Sequence, residues 1–179
     1  MNLKTIIVTP DNWVLGTSDI KDVLIWSMKD KPWLNLRTYD IENNPRIPYQ
    51  IKSNSWVKVE TTDNPAPTEV KLEALLINAR IAMFTDLHVR LRLNIENQGL
   101  SDTNSTILDF FNYLGARGLV ESEFSPESRI NFENKIRLLQ DLYNIRDTAI
   151  KIILSAKNKE DFAAAKTEIE RLFFTNILL

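Results

Sequence analysis

Cysteine is absent from this 179-residue chain, histidine occurs once and glycine four times, and each scarcity excludes a class of chemistry. Without thiols there is no disulfide scaffold, thiolate zinc site, iron–sulfur cluster or cysteine nucleophile. A single histidine, His88, excludes a multi-histidine metal centre within one chain. Neither G-x-G nor G-x-x-x-x-G-K occurs, so a glycine-rich phosphate loop is missing. No apolar run approaches the roughly 18 residues that span a bilayer. The opening MNLKTIIVTPDNW lacks the apolar core and small-residue cleavage site of a signal peptide.

Charge of one sign is not concentrated anywhere. Residues 1–67 carry eight basic and eight acidic side chains, residues 68–125 five against eight, and residues 126–179 nine against eight. That distribution gives neither the basic footprint of a strong nucleic-acid binder nor an acidic run that mimics DNA. Apolar content of 44% and charged content of 26% are those of an ordinary globular protein. The composition, rich in asparagine and isoleucine, hints at an AT-rich genome. Such a genome belongs to a phage or a low-GC bacterium, and with the absence of cysteine the expected location is cytoplasmic or inside a phage particle.

What is present divides the chain near residue 67. All four tryptophans (Trp13, Trp26, Trp33, Trp56) and five of the seven prolines lie before residue 66. Leu3–Thr9 reads as a strand, and Trp33–Tyr39 and Trp56–Thr61 alternate with period two. Ser18–Lys29 reads as a short helix capped by Ser18, with Ile20, Val23, Leu24 and Met28 on one side. Glu42–Pro48 is turn chemistry. The prolines of Thr62–Pro67 then favour an extended boundary.

Beyond the boundary helical periodicity dominates. Val70, Ala74, Ile77, Ile81, Phe84, His88, Leu91 and Ile95 form one apolar seam, in a helix capped at Thr68 and ended by a Gly99-Leu100 Schellman signature. Such a helix is about 40 Å long at ~1.5 Å per residue. Strand-like alternation from His88 to Ile95 is a rival reading of its second half. Ser105–Leu114 reads as a short helix. Ser125-Pro126-Glu127 opens a long one running to about Ala156. Two adjacent stripes, Leu138/Leu142/Ile145/Ala149/Ile152 and Leu139/Tyr143/Ile150/Ile153, make it the central helix of a bundle. Asn158 caps a last helix through Phe162, Ala165, Ile169, Leu172 and Phe173.

Several residues have both a functional and a plain structural reading. His88 is a polar position in a packed seam before it is a switch. Arg146 interrupts an apolar stripe, so it demands a carboxylate, either from within the chain or from a partner. Arg80, Arg90 and Arg92 with Lys71 could contact phosphate, but Arg90 and Arg92 share a face only in a strand. The acidic pairs Asp19/Asp22, Asp40/Glu42, Glu121/Glu123 and Glu160/Asp161 belong to no recognised ion-binding loop. Pro10-Asp11 with Glu69-Val70-Lys71 matches a nuclease pattern only superficially, since Glu69 and Lys71 open a helix where that pattern needs a strand.

The expected fold is α+β: a small β-rich, tryptophan-containing subdomain over residues 1–67, then a bundle of three to four helices over residues 68–179 with two long antiparallel helices. No catalytic residue, metal ligand or cofactor is expected. The expected function is non-enzymatic interaction or assembly, as in a phage structural or accessory component. It would work through helix faces and the apolar terminus, by self-association or on a protein partner, with no membrane and no nucleic acid. The partner-facing candidates are Trp13, Trp33, Arg146, Phe173, Phe174, Ile177, Leu178 and Leu179. A nucleic-acid-associated adaptor and a carboxylate-based, metal-dependent enzyme are the alternatives.

Overall fold

The structure, a computed structural model, describes residues 3–41, 45–51, 66–100 and 126–177. It is α+β: a four-stranded antiparallel sheet at the N-terminus followed by helices that form a bundle. The strands are β1 (Leu3–Val8), β2 (Trp13–Thr17), β3 (Asn35–Asp40) and β4 (Tyr49–Gln50), in spatial order β3-β1-β2-β4. The helices are α1 (Lys21–Ser27), α2 (Thr68–Asn97), α3 (Pro126–Ser155) and α4 (Lys159–Ile177).

Strand β2 carries no period-two signal, because Trp13, Val14, Leu15 and Gly16 are all buried. A strand covered on both faces reads as a continuous apolar run. The turn that makes it a hairpin partner of β1 is local chemistry. Asn12 adopts φ 66°, a conformation asparagine tolerates, and donates its N–H to the Thr9 carbonyl at 3.0 Å. The Trp13 N–H donates to Thr9 Oγ1 at 3.1 Å. Pairing of Val8 with Val14 rather than Leu15 marks a bulge in the ladder.

Alternation along β1 feeds two cores. Ile7 joins Leu15, Leu24, Leu34, Ala74 and Ile77 between the sheet and helices α1 and α2. Ile6 and Val8 join Val14, Ile41, Tyr49 and Ile51 on the other face. Burial pushes the Tyr49 hydroxyl up to about 12.

Helix α2 is continuous to Asn97, so the strand reading of 88–95 fails: Leu87 and Leu91 are buried one turn apart, as helical packing requires. Its N-cap is Pro67, one residue before the expected Thr68, and no side chain caps it. At the far end Gly99 takes φ +67°, its N–H reaches the Glu96 carbonyl at 3.1 Å, and the Leu100 N–H reaches the Ile95 carbonyl at 2.8 Å. Those two bonds and the burial of Leu100 constitute the expected Schellman motif.

A third and largest core gathers Phe84, Leu87 and Leu91 of α2 with Leu139, Leu142, Ile145, Ala149 and Ile153 of α3. Ile169 and Phe173 of α4 complete it. As α2 ascends from Arg80, α3 descends, since Leu154 lies beside Arg80 and Leu142 beside the end of α2. The two long helices are therefore antiparallel. The buried stripe of α3 is narrower than expected, because Leu138 and Tyr143 are 38% and 39% exposed. Asn158 caps α4 as anticipated, its Oδ1 accepting the Asp161 N–H at 2.8 Å.

Helix α1 begins at Lys21 rather than Ser18, because Ser18 Oγ accepts the Ile20 N–H in a local turn instead of capping. The expected strand at Trp56–Thr61 and the expected helix at Ser105–Leu114 lie outside the described residues. So do the Ser125 cap and the pair Glu121/Glu123.

Candidate functional site

The residue that organises the junction of sheet and bundle is Arg80, not Arg146. Helical spacing carries the inward face of α2 through position 80, and the side chain there is 1% exposed. Arg80 donates two bonds to Asp30, Nη1 to Oδ1 at 2.7 Å and Nη2 to Oδ2 at 3.1 Å. Nη1 also reaches the Ser27 carbonyl at 3.1 Å, and Nη2 the Leu154 carbonyl at 3.0 Å. One planar guanidinium thus ties the end of α1 to the end of α3, a geometry that lysine could not reproduce. Burial of the Asp30 carboxyl opposes its ionisation, but the hydrogen bonds and charge of Arg80 outweigh burial and hold it below its ordinary value. This arrangement removes Arg80 from any phosphate-binding surface.

The other arginines of α2 are also engaged. Arg90 pairs with Asp86 at 2.9 Å and with Glu170 of α4 at 3.4 Å, while Arg92 lies 4.0 Å from Glu96. Arg146 is half-buried rather than enclosed in apolar surroundings. Its Nε and Nη2 both donate to Asp147 Oδ1, and its guanidinium lies 4.8 Å over the Tyr143 ring.

The aromatic candidates separate cleanly. Trp13 is buried at the start of β2, and Phe173 is buried in the bundle core, so both are spent on the chain's own packing. Trp33 is half exposed, with Lys31 Nζ 5.1 Å over its ring, and that lysine is also paired with Glu73 at 3.0 Å. Phe174 is 63% exposed. The side chain of Ile177 and residues Leu178 and Leu179 lie outside the described residues.

Two surface features emerge that the sequence did not single out. The first is the outer face of the N-terminal half of α2. Leu72 and Leu75 are 61% and 68% exposed there. With the half-buried Leu76 and Ala79 they follow the i, i+3, i+4, i+7 pattern of one helical face. The inner face of the same turns, Val70, Ala74, Ile77 and Ile81, covers the sheet. A second apolar stripe was readable in the sequence, but only the tertiary arrangement shows which stripe is covered.

The second feature is a cleft of about 460 Å³ where α1, the C-terminal half of α2 and α3 diverge. Leu91, Ile95 and Leu142 supply its apolar lining and Trp26 one aromatic wall. His88 leans on Trp26, ring centroids 6.2 Å apart, and Trp26 meets Phe84 edge-on at 5.8 Å. Arg92, Arg146, Asp22 and Glu96 contribute charge. The seam histidine is therefore neither buried in the core nor isolated on the surface; it lines this cleft.

Among the described residues no group of three or more histidine, aspartate or glutamate side chains is placed to hold a metal ion, and no helix is long and apolar enough to cross a membrane. Comparison with known proteins gave no match among family models, curated proteins or solved structures.

Proposed function

We propose that this chain is a non-enzymatic interaction and assembly protein that docks through the outer face of α2. The observation that carries the reading is the row Leu72, Leu75, Leu76 and Ala79, none of which belongs to the three cores. Contiguous exposed leucines on one helix face mark an interaction surface more often than isolated apolar side chains do. The small side chain of Ala79 at the end of the row lets a partner helix approach closely. The face belongs to an element anchored on its other side by the sheet, so it is presented rigidly. A second copy of the chain supplies a matching apolar row without any further component, and a symmetric helix pair is the simplest assembly. A phage particle, suggested by the asparagine- and isoleucine-rich composition, is a setting in which such a component would work.

Sedimentation velocity over a wide concentration range tests this. Wild-type protein is expected to show a mass that rises with concentration, and the double variant Leu72→Glu/Leu75→Glu a single-chain mass throughout with unchanged helical circular dichroism. A wild-type chain that stays monomeric at every concentration, or an association that the double variant leaves intact, refutes docking of this face on itself.

A further inference from the structure

We infer that the cleft between α1, α2 and α3 is a binding site for a small monocarboxylate carried on an aromatic or branched apolar body. Its volume, about 460 Å³, lies within the range of sites that enclose small organic ligands. The lining is divided as such a ligand requires. Leu91, Ile95 and Leu142 offer apolar contact, and Trp26 offers a flat aromatic wall.

Donors are available on the same lining. The imidazole of His88 makes no hydrogen bond with any described residue; its neighbour is the Trp26 ring. Arg146 directs Nε and Nη2 to a single oxygen of Asp147, an exposed carboxylate next to it in sequence, leaving Nη1 uncommitted among the described residues. The Tyr143 ring supports that guanidinium from below at 4.8 Å. A charge-assisted hydrogen bond from Arg146 to a carboxylate is stronger than one between neutral partners.

The acidic side chains narrow the ligand further. Asp22 and Glu96 line the same cleft as Arg92 and Arg146, and Glu96 lies one turn from Arg92 on α2, 4.0 Å away. A phosphate or dicarboxylate would set its second negative charge against those carboxylates. A single carboxylate on an apolar body sets one negative charge against the Arg146 guanidinium and its apolar part against Leu91, Ile95 and Leu142 of the same lining. This inference does not rest on self-association through the outer face of α2.

The sole histidine gives a reporter inside the cleft. Full-length protein is titrated with 3-phenylpropionate, its primary amide and phenylsuccinate while the His88 ring resonances are followed by NMR. The expected result is a saturable shift with the monocarboxylate, and about tenfold weaker binding of the amide and of the dicarboxylate, a factor equivalent to about 1.4 kcal/mol. Arg146→Gln is expected to weaken the monocarboxylate about tenfold while leaving the amide unchanged. Leu75→Glu, on the outer face of α2, is expected to change neither. An unmoved His88 resonance overturns the inference, as does equal binding of acid and amide or an Arg146→Gln variant that binds the acid as wild type does.

Discussion

The two halves of α2 have the same apolar spacing but opposite fates. In the C-terminal half Phe84, Leu87 and Leu91 are enclosed by α3 and α4 in one large core. In the N-terminal half Ala74 and Ile77 are buried against the sheet, while Leu72 and Leu75 on the opposite face lie open. A helix in a bundle is covered from two directions, whereas a helix on a sheet is covered from one. The seam is thus shared between two cores, and Leu72 and Leu75 stand exposed on the face of α2 turned away from the sheet.

The largest effect is expected on the bundle side. Phe84 is fully buried and sits under Trp26, so Phe84→Ala is expected to lower unfolding free energy by about 3–5 kcal/mol. Urea denaturation measures this. A cost below about 1 kcal/mol would mean that this core is loosely packed.

At the junction, Arg80→Met is expected to cost about 2–3 kcal/mol, because two backbone carbonyls and a half-exposed carboxylate lose their charged donor. The same variant changes the acid limb of the stability profile. The pKa of Asp30 is depressed in the folded state, so its contribution is present above its ordinary value near 3.8 and is lost as pH falls through the lower folded value. Denaturant midpoints measured from neutral pH down to that range are expected to fall less steeply in Arg80→Met than in wild type.

On the sheet side the effect is smaller. A Cβ at Gly16 would lie 2.5 Å from Ile81 Cδ1 and 3.2 Å from Ile77 Cγ2. The nearer atom is the end of a flexible side chain, so it can yield, but the extra methyls of valine cannot all be housed. Gly16→Val is expected to cost about 1–3 kcal/mol in thermal or urea unfolding, whereas unchanged stability would show that α2 can lift from β2. That close approach is also fixed by Asn78, whose Nδ2 donates to the Leu15 carbonyl at 2.8 Å.

Legibility followed the range of the interaction concerned. Local signals were readable: the Gly99-Leu100 ending of α2, the Pro126 start of α3 and the Asn158 cap of α4 each depend on a few adjacent residues. Strand β2 escaped because two-sided burial erased its alternation, although Pro10-Asp11-Asn12 between two apolar runs was the turn signal that could have revealed it. The sequence points to Arg146 as the enclosed guanidinium, since an arginine there breaks an apolar stripe. It stands at Arg80, because that position faces both the end of α1 and the end of α3. Position 146 faces a cleft open to solvent.

Hydrophobic period and end signals act over one or two turns, and they suffice to specify an α+β protein with a sheet-forming start and long helices. Composition alone makes thiol and multi-histidine chemistry unavailable. Which of two apolar stripes on α2 is covered, which arginine is buried and what surrounds His88 follow from long-range packing instead. Those outcomes depend on contacts between residues 50 to 74 positions apart, as Arg80 with Asp30 and Leu154 shows, and no local pattern encodes such distances.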